Sequence, residues 1–275
     1  MTNNYRAVKD VKSYSATVNK LRQFFLKKGF PEVHTQDRLS ILAACEDPTT
    51  IATYEYAGEK WPLPQTGQMW LEYELLKDPT LPGVFCVSTS YRNEKNPIPG
   101  RHEIIFPMFE FESKGTLDDL RELEIELCEH LGLGERQDFT HKKYDEMVKL
   151  YNSKDLTSEH EKRMEKEYGR VFFLEYFPTY TSPFWNMRKK GKTAHKIDVI
   201  IAGMETIGSA ERSCNPKAMR EQFYTISNGG YAKLLFKHFG KTRVVKELEE
   251  FLAFKFFPRF GGGIGLTRMM RALAL

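Results

Sequence analysis

The sequence predicts one globular α+β domain, and three observations predict it. An apolar stripe at spacings of three and four near the N-terminus marks an amphipathic helix. Segments of strand character follow one another through polar or turn-forming connections, as hairpins do. Separate amphipathic runs supply further helices between and after those strands. With 275 residues, of which 41% are hydrophobic and 28% charged, the chain can bury a sizeable core and is neither disordered nor fibrous in composition.

Taken in order, Val8, Val11, Tyr14, Val18, Leu21 and Phe25 define one helical face. Lys27 and Lys28 suit its C-terminal dipole, and Gly29 suits the position just beyond it. A strand is expected at PEVHT. GVFCVSTSYR and IIFPMFEFE read as two further strands joined by the polar connection NEKNPIPGRHE, which makes a long hairpin. Leu117 to Leu133 is amphipathic helix, and residues 134–170 form a polar, charged helical insertion expected at the periphery. VFFLEYFP and KIDVIIAGMETIG return to strand character. Residues 217–253 are largely helical with a break at NGG, and a glycine-rich segment, FPRFGGGIGLTR, runs into a C-terminal helix.

Composition narrows the function classes. The net charge of +4 fits a polyanionic ligand such as ATP or RNA without specifying one. Cys45, Cys86, Cys128 and Cys214 are scattered with no CxxC pair, which suggests neither a zinc site nor a disulfide framework. The segment MTNNYRAVKD has no apolar signal core, and no apolar run approaches the roughly 18 residues of a membrane helix. A cytoplasmic address without a membrane partner is therefore expected.

Three stretches carry candidate chemistry. In HKIDVIIAGMETIGSAER, a two-residue turn at Ala202-Gly203 sets residue 200 opposite residue 205. Asp198 then lies diagonal to Glu205 on one sheet face. Two carboxylates that close repel unless a cation sits between them, and hard oxygen ligands suit Mg²⁺ arriving with phosphate. On spacing alone, two strand carboxylates each paired with a nearby Arg or Lys is the favoured reading. In YRNEKNPIPGRHEIIFPMFEFE, the hairpin ends bring Arg92 and Glu94 near Arg101, His102 and Phe106. Arg can fork onto a phosphate, His adds a second contact, and Phe offers a ring to a base. An ordinary charged loop over a core Phe106 fits too. GGGIGLTR, with Gly263 and Gly265, lets backbone approach a ligand before a helix that carries Arg268, yet it is neither a Walker loop nor a dinucleotide fingerprint.

Together these segments resemble the catalytic core of class II aminoacyl-tRNA synthetases, in the aspartyl/asparaginyl/lysyl subgroup and most closely the asparaginyl branch. The resemblance follows the family order across nearly the whole chain. A motif 1-like helix and strand come first (about 15 to 38), followed by QTGQMWLEYELL and a motif 2-like hairpin (85 to 112). FPTYTSPFWNM, DVIIAGMETIGSAER and a motif 3-like segment (260 to 272) complete it. It implies an antiparallel sheet of six or seven strands flanked by helices, with ATP and Mg²⁺ used to convert an amino acid into its adenylate. Carried over by position, the resemblance implies that Arg92 would hold the α-phosphate, Glu94 would lie near the adenine amino group, His102 and Arg268 would reach the γ-phosphate, and Phe106 would stack on adenine. Asp198 and Glu205 match the metal-binding acids. Arg212 matches the reader of the substrate side chain, and Gln68 the glutamine near its amino end. Leu71 and Glu72 stand as in asparaginyl enzymes, and a glutamate accepts hydrogen bonds from an amide while repelling a carboxylate. Asparagine or a similar amino acid is therefore the implied substrate.

The chain departs from the family pattern at Gln36, Ile105 and Thr267, which replace a motif 1 proline, a glutamate before the motif 2 phenylalanine and an acid before the motif 3 arginine. About 20 residues ahead of the motif 1 region are too few for a five-stranded OB barrel, so residues 1–275 are expected to be one catalytic domain. Three readings follow. The acyl group passes from the adenylate to the acceptor end of a tRNA or another nucleophile; or the chain is an aspartate–ammonia ligase similar to asparagine synthetase A; or it is a silent paralogue. A homodimer is expected by analogy.

Overall fold

The computed structural model describes residues 8–35, 38–41, 48–98, 100–181 and 183–274. Gln36 and Cys45 lie outside the described residues. The elements run in the order α1 (Val11–Lys27), β1 (Thr53–Tyr56), β2 (Glu59–Pro62), α2 (Gln68–Lys77), β3 (Gly83–Tyr91), β4 (Ile105–Lys114), α3 (Leu117–His130), β5 (Thr140–Lys143), α4 (Tyr144–Leu150) and α5 (Ser158–Tyr168). They continue as β6 (Val171–Pro178), β7 (Lys189–Lys190), β8 (Thr193–Ile201), β9 (Met204–Glu211), α6 (Pro216–Thr225), α7 (Gly230–Phe239), α8 (Lys241–Leu252), β10 (Arg259–Gly265) and α9 (Leu266–Ala274).

Local chemistry sets the helix starts. Asp10 accepts the N–H groups of Lys12 and Ser13 at the head of α1. Thr116 and Asp119 form a capping box on α3, and Asn215 caps α6 just before Pro216. The NGG break falls where Ser227 and Asn228 adopt positive φ between α6 and α7.

One large sheet has the order β3-β4-β10-β9-β8-β6-β5, with β7 added beside β8. Its pairings are antiparallel except that β5 runs parallel to β6, so the sheet is mixed rather than wholly antiparallel. The expected strand at PEVHT reduces to a single bridge from Glu32 to Phe85. In the opposite direction, the glycine-rich segment is itself an interior strand, β10, paired with both β4 and β9.

Alternation along the strands divides the sheet into two faces. On one, α1, α3 and α9 bury Phe25, Leu120 and Met269 against Phe109, Phe111, Ile207 and Ile264, and Phe85 and Phe109 stack at 5.0 Å. The other face carries the side chains of Phe106, Met108, Asp198 and Glu205 toward a cavity. Residues 134–170 are more than a peripheral appendage. Tyr144, Met147 and Met164 from α4 and α5 are buried against Phe172, Leu174 and Ile200 of the sheet, and β5 extends its edge. None of the helices among the described residues is long and apolar enough to cross a membrane.

Candidate active site

The hairpin of β8 and β9 turns through Ala202 (φ 48°) and Gly203 (φ 71°), and Ile200 faces Glu205 as expected. A bulge then adds Thr206 to β9, so that Asp198 sits opposite Gly208. The bulge brings the two carboxylates together over a bare backbone. A Cβ built on Gly208 would lie 3.1 Å from Glu205 Oε1 and 3.5 Å from Asp198 Oδ1. Asp198 is 7% exposed, its Oδ2 accepts from Lys196 Nζ at 2.7 Å, and its Oδ1 has no hydrogen-bond partner. Burial pushes the Asp198 carboxyl up to about 7, with the carboxylates of Glu205 and Glu161 adding to the rise and Lys196 opposing it.

This donor set fits a hard divalent cation. A buried carboxylate oxygen without a partner and a second carboxylate oxygen face the same small space, and Mg²⁺ needs only one or two protein carboxylates when phosphates complete its shell. Among the described residues, no group of three or more His, Cys, Asp or Glu side chains forms a complete metal cage.

The β3–β4 hairpin supplies the cationic side of the cavity. The Arg92 N–H donates to Ile104 O at 2.7 Å, continuing the ladder past the strand end, and the guanidinium lies 5.2 Å from the Phe106 ring centroid. His102 Nδ1 contacts Glu94 Oε1 at 2.9 Å. Arg101 Nη2 donates to Glu161 Oε1 at 2.5 Å, and the other Glu161 oxygen accepts the Glu205 N–H at 2.9 Å. From the first turn of α9, Arg268 Nη1 donates to Glu205 O at 2.7 Å and lies 3.9 Å from the Glu205 carboxylate. Thr267, a departure from the family pattern, donates its hydroxyl to Glu103 Oε2 at 3.0 Å and ties α9 to the same hairpin; Ile105, another departure, is half-buried at the start of β4.

Arg92, Glu94, Arg101, His102, Phe106, Gln68, Asp198, Glu205, Gly263, Gly265 and Arg268 all line one cavity of about 600 Å³, within the usual range for small-molecule sites. Two of the expected residues do not line it. Glu72, fully buried, accepts from Asn186 Nδ2 at 2.7 Å and from Arg259 at 2.6 and 3.0 Å. Arg212, 1% exposed, donates to Glu112 and to Gln68 Oε1 at 2.6 Å. Both therefore sit behind the cavity wall in a buried ion network, and only Gln68 reaches the cavity from it. Burial pushes the Glu112 carboxyl up to about 7 against the pull of Arg212. The bare strand β10 permits this packing, since a Cβ on Gly261 would overlap the Glu112 carboxylate and one on Gly263 would meet Met108 Cε at 2.8 Å.

Lys196 and Glu161 also line the cavity and were missed by sequence reasoning. Lys196 had a signal, since it precedes Asp198 by two residues and strand period places both on one face. Glu161 had none, because a helix of the insertion brings it in from 44 residues before Glu205.

Comparison with known proteins accords with this geometry. The family model described as tRNA synthetases class II (D, K and N) matches residues 2–274. The aspartate–tRNA(Asp/Asn) ligase of Methanopyrus kandleri is 24% identical over 92% of this chain and 61% of its own length. The aspartate–tRNA(Asp) ligase of Pyrobaculum aerophilum is 30% identical over 43% of this chain and 25% of its own. The asparaginyl-tRNA synthetase of Pyrococcus horikoshii, solved with asparaginyl-adenylate, superposes with a TM-score of 0.76 at 20% identity, over 95% of this chain and 64% of that one. The chain thus spans less than two thirds of the length of these relatives. With the motif order, the sheet and the family match in agreement, the chain belongs to the class II tRNA synthetases of the D, K and N group.

Proposed function

We propose that the chain activates an amino acid with ATP and Mg²⁺, forming an aminoacyl-adenylate and pyrophosphate, and then transfers the acyl group to an acceptor. One observation carries this reading: Arg92, His102 and Arg268 share a single cavity with the Asp198–Glu205 pair, an arrangement that suits a nucleotide whose phosphates meet nitrogen donors and whose metal meets the acids. In the reaction, a carboxylate oxygen of the amino acid attacks the α-phosphorus and the bond to the β-phosphate oxygen breaks. The attacking carboxylate is already ionised at neutral pH, so no general base is required. Catalysis is positioning together with charge neutralisation. Arg92 faces the α-phosphate, Arg268 and His102 the far end of the triphosphate, and Phe106 the adenine. Asp198 and Glu205 would hold Mg²⁺, which would supply neutralisation of charge on the phosphate oxygens.

Gln68 is the group placed to accept or donate at the amino-acid end. The acceptor expected from the family is the 3′ end of a tRNA, and a homodimer is part of the same reading. Val11 and Leu26, exposed at 71% and 55% on α1, are apolar surface that a second copy would cover.

A specific observation favours a second reading. Glu72, the carboxylate expected to turn away an aspartate side chain, is bound to Arg259 and Asn186 and does not line the cavity. Aspartate is then acceptable as substrate, and an aspartate–ammonia ligase activating the side-chain carboxylate uses the same cradle. Amino-acid-dependent exchange of pyrophosphate into ATP tests both readings. We expect Mg²⁺-dependent exchange with asparagine or aspartate; no exchange with any of the twenty amino acids contradicts activation and leaves a silent paralogue. Label from the amino acid appearing in tRNA, or in free asparagine once ammonia is added, separates the two acceptors.

A further inference from the structure

We propose that Lys196 is a positioning residue that makes metal binding depend on the nucleotide: its ammonium occupies Asp198 before ligand arrives and competes with a free divalent cation for the acid pair. The inference rests on the reading of Asp198 and Glu205 as the metal-binding acids. Strand period puts Lys196 and Asp198 on the same face of β8, two residues apart. The ammonium is held from two sides, 2.7 Å from Asp198 Oδ2 and 4.0 Å from the Phe177 ring centroid, with the side chain 17% exposed. Asp198 is thereby divided. One oxygen is engaged by the protein's own cation, while Oδ1 and Glu205 Oε1 both border the space above Gly208, 3.5 and 3.1 Å from where a Cβ would stand.

A free metal ion entering between those two oxygens meets an ammonium already bound to the same buried carboxylate. The two cations repel at short range where water screens poorly, so the bare site holds metal weakly. A metal arriving on a triphosphate brings its own negative charge and offsets that repulsion. Lys196 thus favours entry of the metal–nucleotide complex over entry of the ion alone, and a bare metal does not fill the cradle ahead of its substrate.

Binding of Mn²⁺ to the full chain without nucleotide, followed by the electron paramagnetic resonance of the free ion, tests this. Lys196→Met and Lys196→Gln remove the charge, and both are expected to bind Mn²⁺ about tenfold more tightly than the unmodified protein, the order of effect of one adjacent unit charge. Lys196→Arg keeps the charge and is expected to retain weak binding; tighter binding in the two neutral variants alone is what a merely structural role does not predict. Equal or weaker Mn²⁺ affinity in both neutral variants overturns the role of Lys196 alone. Failure of every form to bind Mn²⁺, with ATP present as well as without it, overturns both this inference and the reading of the acid pair.

Discussion

The Arg92 guanidinium projects from a strand end whose backbone is still hydrogen-bonded, and it lies beside the Phe106 ring. A guanidinium carried on a strand end beside a ring is placed to meet charge that develops on a transferring phosphorus. Replacement of Arg92 by Ala should therefore cost on the order of 3 kcal/mol, about a hundredfold, in the rate of adenylate formation. Pre-steady-state pyrophosphate release measures that step, and an unchanged rate would mean that Arg92 does not face the reacting phosphate. At this scale the sequence was most legible where chemistry is local. Asp198 and Glu205 could be paired because a two-residue turn and strand period fix their relation, although the bulge at Thr206 could not be foreseen. Glu72 and Arg212 stand behind the cavity because their partners are Arg259 and Glu112, 187 and 100 residues away, and no local pattern reports such partners.

Helix α3 shows what an element contributes beneath the site. It packs on the sheet face opposite the cavity, and its Glu124 is fully buried with neither carboxylate oxygen bonded; the nearby Ser209 hydroxyl donates instead to Ile197 O. Burial holds the Glu124 carboxyl well above its usual range. The sign of its pH effect follows: between the unfolded pKa near about 4.3 and the raised folded value, the folded state keeps a proton that the unfolded state has released. Stability therefore falls as pH rises through that window, by at most about 1.4 kcal/mol per pH unit from this group. Thermal melts across pH 4 to 8 should show a flatter decline for Glu124→Gln than for the unmodified chain, and parallel curves would contradict the assignment. Elements such as α1 and α3 were legible because a 3.6-residue period and a cap are local signals. PEVHT was not, since whether an extended segment becomes a strand depends on what lies beside it, and here only Glu32 finds a bridge. The insertion misled for the same reason, its polar sequence hiding the buried faces of Tyr144, Met147 and Met164.

Across the whole molecule, the mixed sheet gathers residues from five separate segments onto one face. Gln68 comes from α2, Arg92 and His102 from the ends of the β3–β4 hairpin, Glu161 from the insertion, Asp198 and Glu205 from β8 and β9, and Arg268 from α9. The order of these segments could be read from the sequence through family resemblance; their convergence is a property of sheet order, which sets β10 between β4 and β9. A crystal structure of the chain with ATP and Mg²⁺ decides whether these residues meet on one ligand. One bent nucleotide is expected in this cavity, with Arg92 on the α-phosphate, Arg268 and His102 at the γ-phosphate, and the metal bound by Asp198 and Glu205. A triphosphate seated elsewhere, or a metal bound without either carboxylate, would contradict it.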